Sequence, residues 1–161
     1  RSRHRAAAPS SSAAWSAETE LEDAALYAAP RRPGTPLLVL AGHYDTVPAQ
    51  GNLPGRIEGG AVHGLGSTDM KGGLAVALEL ARDLAEAPPG DVDVALLLFG
   101  REELPQQYDP LPELFERSAL VQETSLALLL EPTDGIVHAG CVGSMNAELV
   151  FHGRSGHSAR P

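Results

Sequence analysis

The sequence predicts an α/β fold, a mainly parallel sheet with helices on both faces. Three observations predict it. First, three short apolar runs, in residues 37–41, 91–100 and 125–132, read as strands buried on both sides. Second, residues 70–87 (MKGGLAVALELARDLAEA) join the first run to the second and are rich in helix formers. Third, each run gives way at once to polar chemistry: His43-Tyr44-Asp45, Glu102-Glu103 and Glu131.

Composition sets the bounds. The 161 residues fit one domain and the beginning of a second. Hydrophobic residues make up 43% and charged residues 20%, which is ordinary globular usage. Aromatics are only 4%, so the core must be Leu, Val and Ala. With 12 Lys plus Arg against 21 Asp plus Glu, the net charge of −9 argues against nucleic acid or an anionic membrane as main partner. The single cysteine, Cys141, excludes an internal disulfide framework and a Cys-only zinc site. No apolar run approaches the roughly 20 residues that cross a bilayer.

The elements follow in order. Residues 1–17 are expected to be a disordered tail: RSRHRAAAPSSSAA is basic, then small and polar, with no apolar signal-peptide core. Residues 18–28 (ETELEDAALYA) are expected as a short helix, and PRRPG at 30–34 as a turn. Residues 49–66 form a Gly- and Pro-rich loop with room for a hairpin. The helix over 70–87 shows an apolar face through Leu74, Leu78 and Ala81, with Asp69 at its N-cap position. PPG at 88–90 ends it, and a further helix is expected around 111–120. Beyond residue 140, the alternation of Met145, Ala147, Leu149 and Phe151 predicts a half-exposed antiparallel strand. Residues 18–140 are therefore read as one domain and 141–161 as entry into a second.

In open α/β sheets, ligands bind beyond the carboxyl ends of the strands. Asp45, Asp69, Glu102, Glu103 and Glu131 would meet there with one imidazole, His43. Like charges at short range in a partly dry crevice are costly, and divalent cations remove that cost. Mixed His and carboxylate donors suit Zn²⁺, with Mn²⁺ or Co²⁺ as substitutes. Taken singly, H-x-D, a Glu-Glu pair or a Gly-rich loop is commonplace. Their joint placement after buried strands is not. The loop GLGSTDMKGG has the wrong order for a phosphate-binding loop. His4, His63, His138 and His152 read as tail, surface or strand residues, and Cys141 as a packing residue.

AGHYDTVP, GLGSTDMKGG, REE after a strand, LLEPTDG and GRSGHSARP resemble, in order, the signature segments of the dizinc amidohydrolases. That family holds aminoacylases, acetylornithine deacetylase, glutamate-releasing carboxypeptidases and desuccinylases. The resemblance covers residues 37–161. STDMKGG, EPTDG before AGCVGS, and GHSAR look most like its actinobacterial succinyl-diaminopimelate desuccinylase branch.

The resemblance implies a zinc-peptidase-like catalytic domain entering a small α+β lid and dimerisation domain, in a cytoplasmic homodimer. It implies two Zn²⁺ per site and hydrolysis of an N-acyl amino acid, a step of lysine biosynthesis for the desuccinylase branch. His43 and Glu131 would bind one zinc, Glu103 the other, and Asp69 would bridge them. Glu102 would be general base and acid, and Asp45 would hold the His43 ring. His157 resembles the histidine that stabilises the oxyanion in a neighbouring subunit, and Arg160 would grip a substrate carboxylate. The family uses one more histidine, after the lid, that no residue here replaces. These 161 residues alone are therefore expected to be inactive. Another deacylase of the family and a non-catalytic binding module stand as alternatives.

Overall fold

The structure is a computed structural model and describes residues 15–140, 145, 147–154, 156 and 159. In chain order its elements are β1 (Ser16–Glu20), β2 (Ala24–Ala28), β3 (Leu37–His43), β4 (Arg56–Glu58), β5 (Ala61–His63), α1 (Gly72–Glu86), β6 (Asp93–Phe99), α2 (Leu111–Arg117), α3 (Ala119–Gln122) and β7 (Thr124–Leu129). Five strands form one sheet in the order β1-β2-β6-β3-β7.

The three apolar runs are the parallel half of that sheet, but only β3 and β6 are buried as expected: β7 lies at the sheet's edge, and its Leu126, Leu128 and Leu129 are exposed. β3 pairs with β6 from Leu37↔Asp93 to His43↔Phe99, and with β7 from Leu38↔Leu126 to Ala41↔Leu129. The sheet is mixed, because β2 pairs antiparallel with β6, and β1 antiparallel with β2. β2 comes from residues expected to be helical, and β1 begins at Ser16, inside the expected disordered tail, and runs into the expected helix. The correction has a physical cause: Ala24, Leu26 and Ala28 alternate with half-exposed neighbours and bury against β6. Period-two burial in a sheet overrides the helix propensity of Ala, Leu and Glu.

Helices cover both faces. On one, Leu111, Leu114, Leu120 and Val121 of α2 and α3 pack on Leu26, Val39, Ala95 and Leu97. On the other, Ala77, Ala81 and Leu84 of α1 pack on Leu40, Val94 and Leu96. The buried face of α1 includes Leu74 and Ala77, while Leu78 faces solvent, one helical step away from the expected stripe. Ser118 breaks the expected 111–120 helix in two, and its hydroxyl accepts from Val121 N at 3.3 Å to start α3. The loop hairpin forms as β4–β5. Residues 145 and 147–151 carry no strand, and among the described residues no partner strand pairs with them. Extended chain without a partner leaves its backbone groups to water, so the alternation alone does not make a strand.

Candidate metal centre

Because β3, β6 and β7 run parallel, their carboxyl ends share one edge of the sheet. His43 is the last residue of β3 and is buried, 1% exposed. Glu102 and Glu103 follow β6, and Glu131 follows β7. Asp69 arrives from the irregular turn Ser67–Lys71 that leads into α1. It is not an N-cap: Lys71 holds that position, and Asp69 has extended backbone (φ −115°, ψ 100°). The consequence is that its carboxylate is free to face the sheet edge.

The imidazole of His43 stands between carboxylates. Its Nε2 lies 3.0 Å from Asp69 Oδ1, 3.8 Å from Glu131 Oε1 and 4.0 Å from Glu102 Oε2. Its Nδ1 lies 3.2 Å from Asp45 Oδ1. Asp45 also accepts from Glu102 N at 3.3 Å and Glu103 N at 3.1 Å, so one carboxylate orients the ring and the following loop together. Beneath the ring, the backbone N–H of His43 donates to Met70 Sδ at 3.2 Å. Met70 is fully buried against Gly42, where an added Cβ would collide with the Met70 methyl.

The electrostatics match the crowding. Burial works against the charged form of His43. The hydrogen bond to Asp69 and the charges of Glu131, Glu102 and Asp45 outweigh it, and the pKa rises above the ordinary histidine value. Burial pushes the Glu102 and Glu131 carboxyls up, and neighbouring carboxylates add to this against the pull of His43. Among the described residues, no Lys or Arg forms an ion pair with Asp69, Glu102, Glu103 or Glu131.

The donor set fits a divalent cation. Ligand atoms of His43, Asp69 and Glu131 lie within 4.8 Å of one another, and so do those of His43, Glu102 and Glu103. His43 is common to both groups, whereas the resemblance gives the shared role to Asp69. A cleft of about 440 Å³ opens beside them, lined in part by Phe99, Glu102, Leu104, Leu111, Leu129 and Glu131. His157 and Arg160 lie outside the described residues, as does Cys141. His63, His138 and His152 are exposed.

Sequence reading gave no role to Asp23, Tyr44 and Arg101, which meet one another beside the Glu102–Glu103 loop. Asp23 falls in the segment expected to be helical, and its partners lie far along the chain. No local pattern marks them: even the close approach of the Tyr44 ring to Gly100, where a Cβ would meet it at 2.9 Å, exists only in the fold.

A sheet edge that gathers an imidazole and several carboxylates in this way defines an α/β protein with a candidate divalent-metal centre. The chain belongs to peptidase family M20/M25/M40, whose family model matches residues 39–138. It is 40% identical over 123 residues to a succinyl-diaminopimelate desuccinylase of Corynebacterium glutamicum, covering 76% of this chain and 33% of that protein. It is 41% identical over 123 residues to a putative succinyl-diaminopimelate desuccinylase of Mycobacterium tuberculosis, covering 76% and 34%. The chain thus spans about a third of the length of these relatives. Human carnosine dipeptidase 1 shares the fold, with TM-score 0.55 and 21% identity over 66% of this chain and 24% of that one.

Among the described residues no helix is long and apolar enough to cross a membrane.

Proposed function

We propose that this chain carries most of the metal seat of an amidohydrolase that cleaves an N-acyl amide bond. The substrate is N-succinyl-LL-2,6-diaminopimelate, and the products are succinate and diaminopimelate. The observation that carries the reading is the pair of donor groups meeting at His43. The kinship to desuccinylases supports succinyl as the acyl group.

His43, Asp69, Glu103 and Glu131 would hold two divalent cations, Zn²⁺ by donor chemistry, with Co²⁺ or Mn²⁺ able to replace it. When bound, such ions polarise a carbonyl and acidify water. The chain's own residues supply the rest. Asp45 keeps the ring of His43 turned toward the carboxylates. Glu102 is half exposed beside the cleft, and its raised pKa suits a group that takes a proton from water and returns it to the departing amine nitrogen. His157 would stabilise the oxyanion of a neighbouring subunit in a homodimer, and Arg160 would grip a substrate carboxylate.

The test assays the full-length enzyme, freed of metal and reloaded with Zn²⁺, on succinyl-diaminopimelate beside acetylornithine. Turnover of the first supports the reading. Turnover of acetylornithine alone keeps the chemistry and overturns the substrate. Zinc-loaded enzyme that cleaves neither overturns both.

A further inference from the structure

We infer that Asp23, on the turn between β1 and β2, is a positioning residue for the Glu102–Glu103 pair, acting through Arg101 and Tyr44. The inference rests on the role given to that pair above.

After β6 ends at Phe99, the chain must turn within a few residues to aim two carboxylates at His43. Arg101 makes that turn in the left-handed region, φ 64°. For a residue with a Cβ this is strained, and it persists only where the surroundings dictate it. Asp23 supplies them. Its backbone carbonyl accepts from Gly100 N at 2.8 Å. Its Oδ2 pairs with the Arg101 guanidinium, which also reaches Glu22 at 3.4 Å. Its Oδ1 accepts from the Tyr44 hydroxyl at 3.2 Å. Tyr44 directly follows His43, and its ring packs so close to Gly100 that a Cβ there would meet it at 2.9 Å.

One side chain therefore joins the residue after His43 to the residue before Glu102. Asp45 completes the grip from the other side through the Glu102 and Glu103 amides. The pair sits between two aspartates, one on its backbone and one on the preceding arginine. Asp23 is three-quarters buried and Arg101 two-thirds buried, so this ion pair is less screened than a surface one. These contacts come from the protein's own groups, which is the kind of support that preorganisation of ligands calls for.

The experiment compares Asp23→Asn, Arg101→Gly and Arg101→Lys with the unaltered chain by amide hydrogen exchange and by Co²⁺ titration. Arg101→Gly is informative because glycine relieves the left-handed backbone while deleting the ion pair. Exchange at Glu102 and Glu103 is expected to quicken by about tenfold or more in Asp23→Asn and Arg101→Gly, with the β3 and β6 interiors unchanged. Co²⁺ affinity is expected to fall by about 10- to 100-fold, as for other residues that orient ligands. Arg101→Lys should restore most of both. Unchanged exchange at Glu102 and Glu103 overturns the inference. Equal acceleration throughout β3 and β6 also overturns it, by reducing the clamp to general stabilisation. If neither the unaltered chain nor the full-length enzyme binds Co²⁺, the metal reading fails, while the exchange data still decide the clamp.

Discussion

The two ends of β6 hold carboxylates in opposite settings. At the amino end, Asp93 accepts from Arg31 Nη1 at 2.9 Å, Arg32 N at 2.9 Å and Arg32 Nε at 2.6 Å. Burial alone would raise its pKa, but the Arg32 hydrogen bonds and the two guanidinium charges hold it below the ordinary carboxylate value. At the carboxyl end, Glu102 and Glu131 are pushed up, with only His43 to oppose the crowding. The chain neutralises one end for itself. Among the described residues no Lys or Arg forms an ion pair with Glu102 or Glu131 at the other, in a chain of a peptidase family. A crowded acidic edge left without cations is the physical ground for reading it as a place for metal.

The largest expected effect tests what the carboxyl end is for. Glu102→Gln in the full-length enzyme should lower turnover by about 10²- to 10⁴-fold, the worth of a general base. Metal content should stay the same, because His43, Asp69, Glu103 and Glu131 remain. Rates alongside elemental analysis decide it. Full turnover in the variant would remove Glu102 from the chemistry.

Next comes the response of stability to metal. At free Zn²⁺ about a hundredfold above Kd, binding should stabilise the folded chain by about 2.7 kcal/mol. Calorimetric melting with and without chelator reads this directly. His43→Ala should erase the response, since both donor groups share His43. Asp93→Asn sharpens the contrast from the other end. It should cost about 1.5–3 kcal/mol by deleting charge-assisted hydrogen bonds, yet leave the metal response intact. A metal response lost in Asp93→Asn would mean that the two ends are not independent.

The sequence made the parallel half of the sheet legible because its strands are apolar on both faces and end abruptly in ligand chemistry. α1 was legible from its helix formers, and β4–β5 from glycines at the turn. What stayed hidden was set by distant partners. ELEDAALYA looks helical until β6 supplies a neighbour for Ala24, Leu26 and Ala28. Asp69 resembles an N-cap in the linear pattern, but the turn before α1 is irregular and turns its carboxylate to His43 instead. The candidate ligands could be named because each follows a strand or begins a helix. The residues that brace them could not, since Asp23 meets Tyr44 and Arg101 only in the folded sheet.

The smallest effect is a difference in the sign of pH dependence. Asp93 titrates below its unfolded value when folded. Its contribution is therefore fully present above the ordinary carboxylate pKa and is lost as pH falls through the lowered one. Glu102 and Glu131 titrate above their unfolded values, so between the ordinary and raised pKa the folded state holds more protons than the unfolded state. In that window stability falls as pH rises. His43 acts in the same direction at higher pH: its contribution is present below the ordinary histidine value and lost as pH climbs through the raised one. Metal-free chain should thus be most stable in mild acid, losing stability on both sides for reasons at opposite ends of β6. Urea midpoints across a pH series would show it. Asp93→Asn should flatten the acid side alone, and Glu131→Gln should soften the neutral side alone. A midpoint that climbs steadily from mild acid to neutral pH without metal would mean that the carboxyl-end groups are not crowded in solution, and the contrast between the two ends would fail.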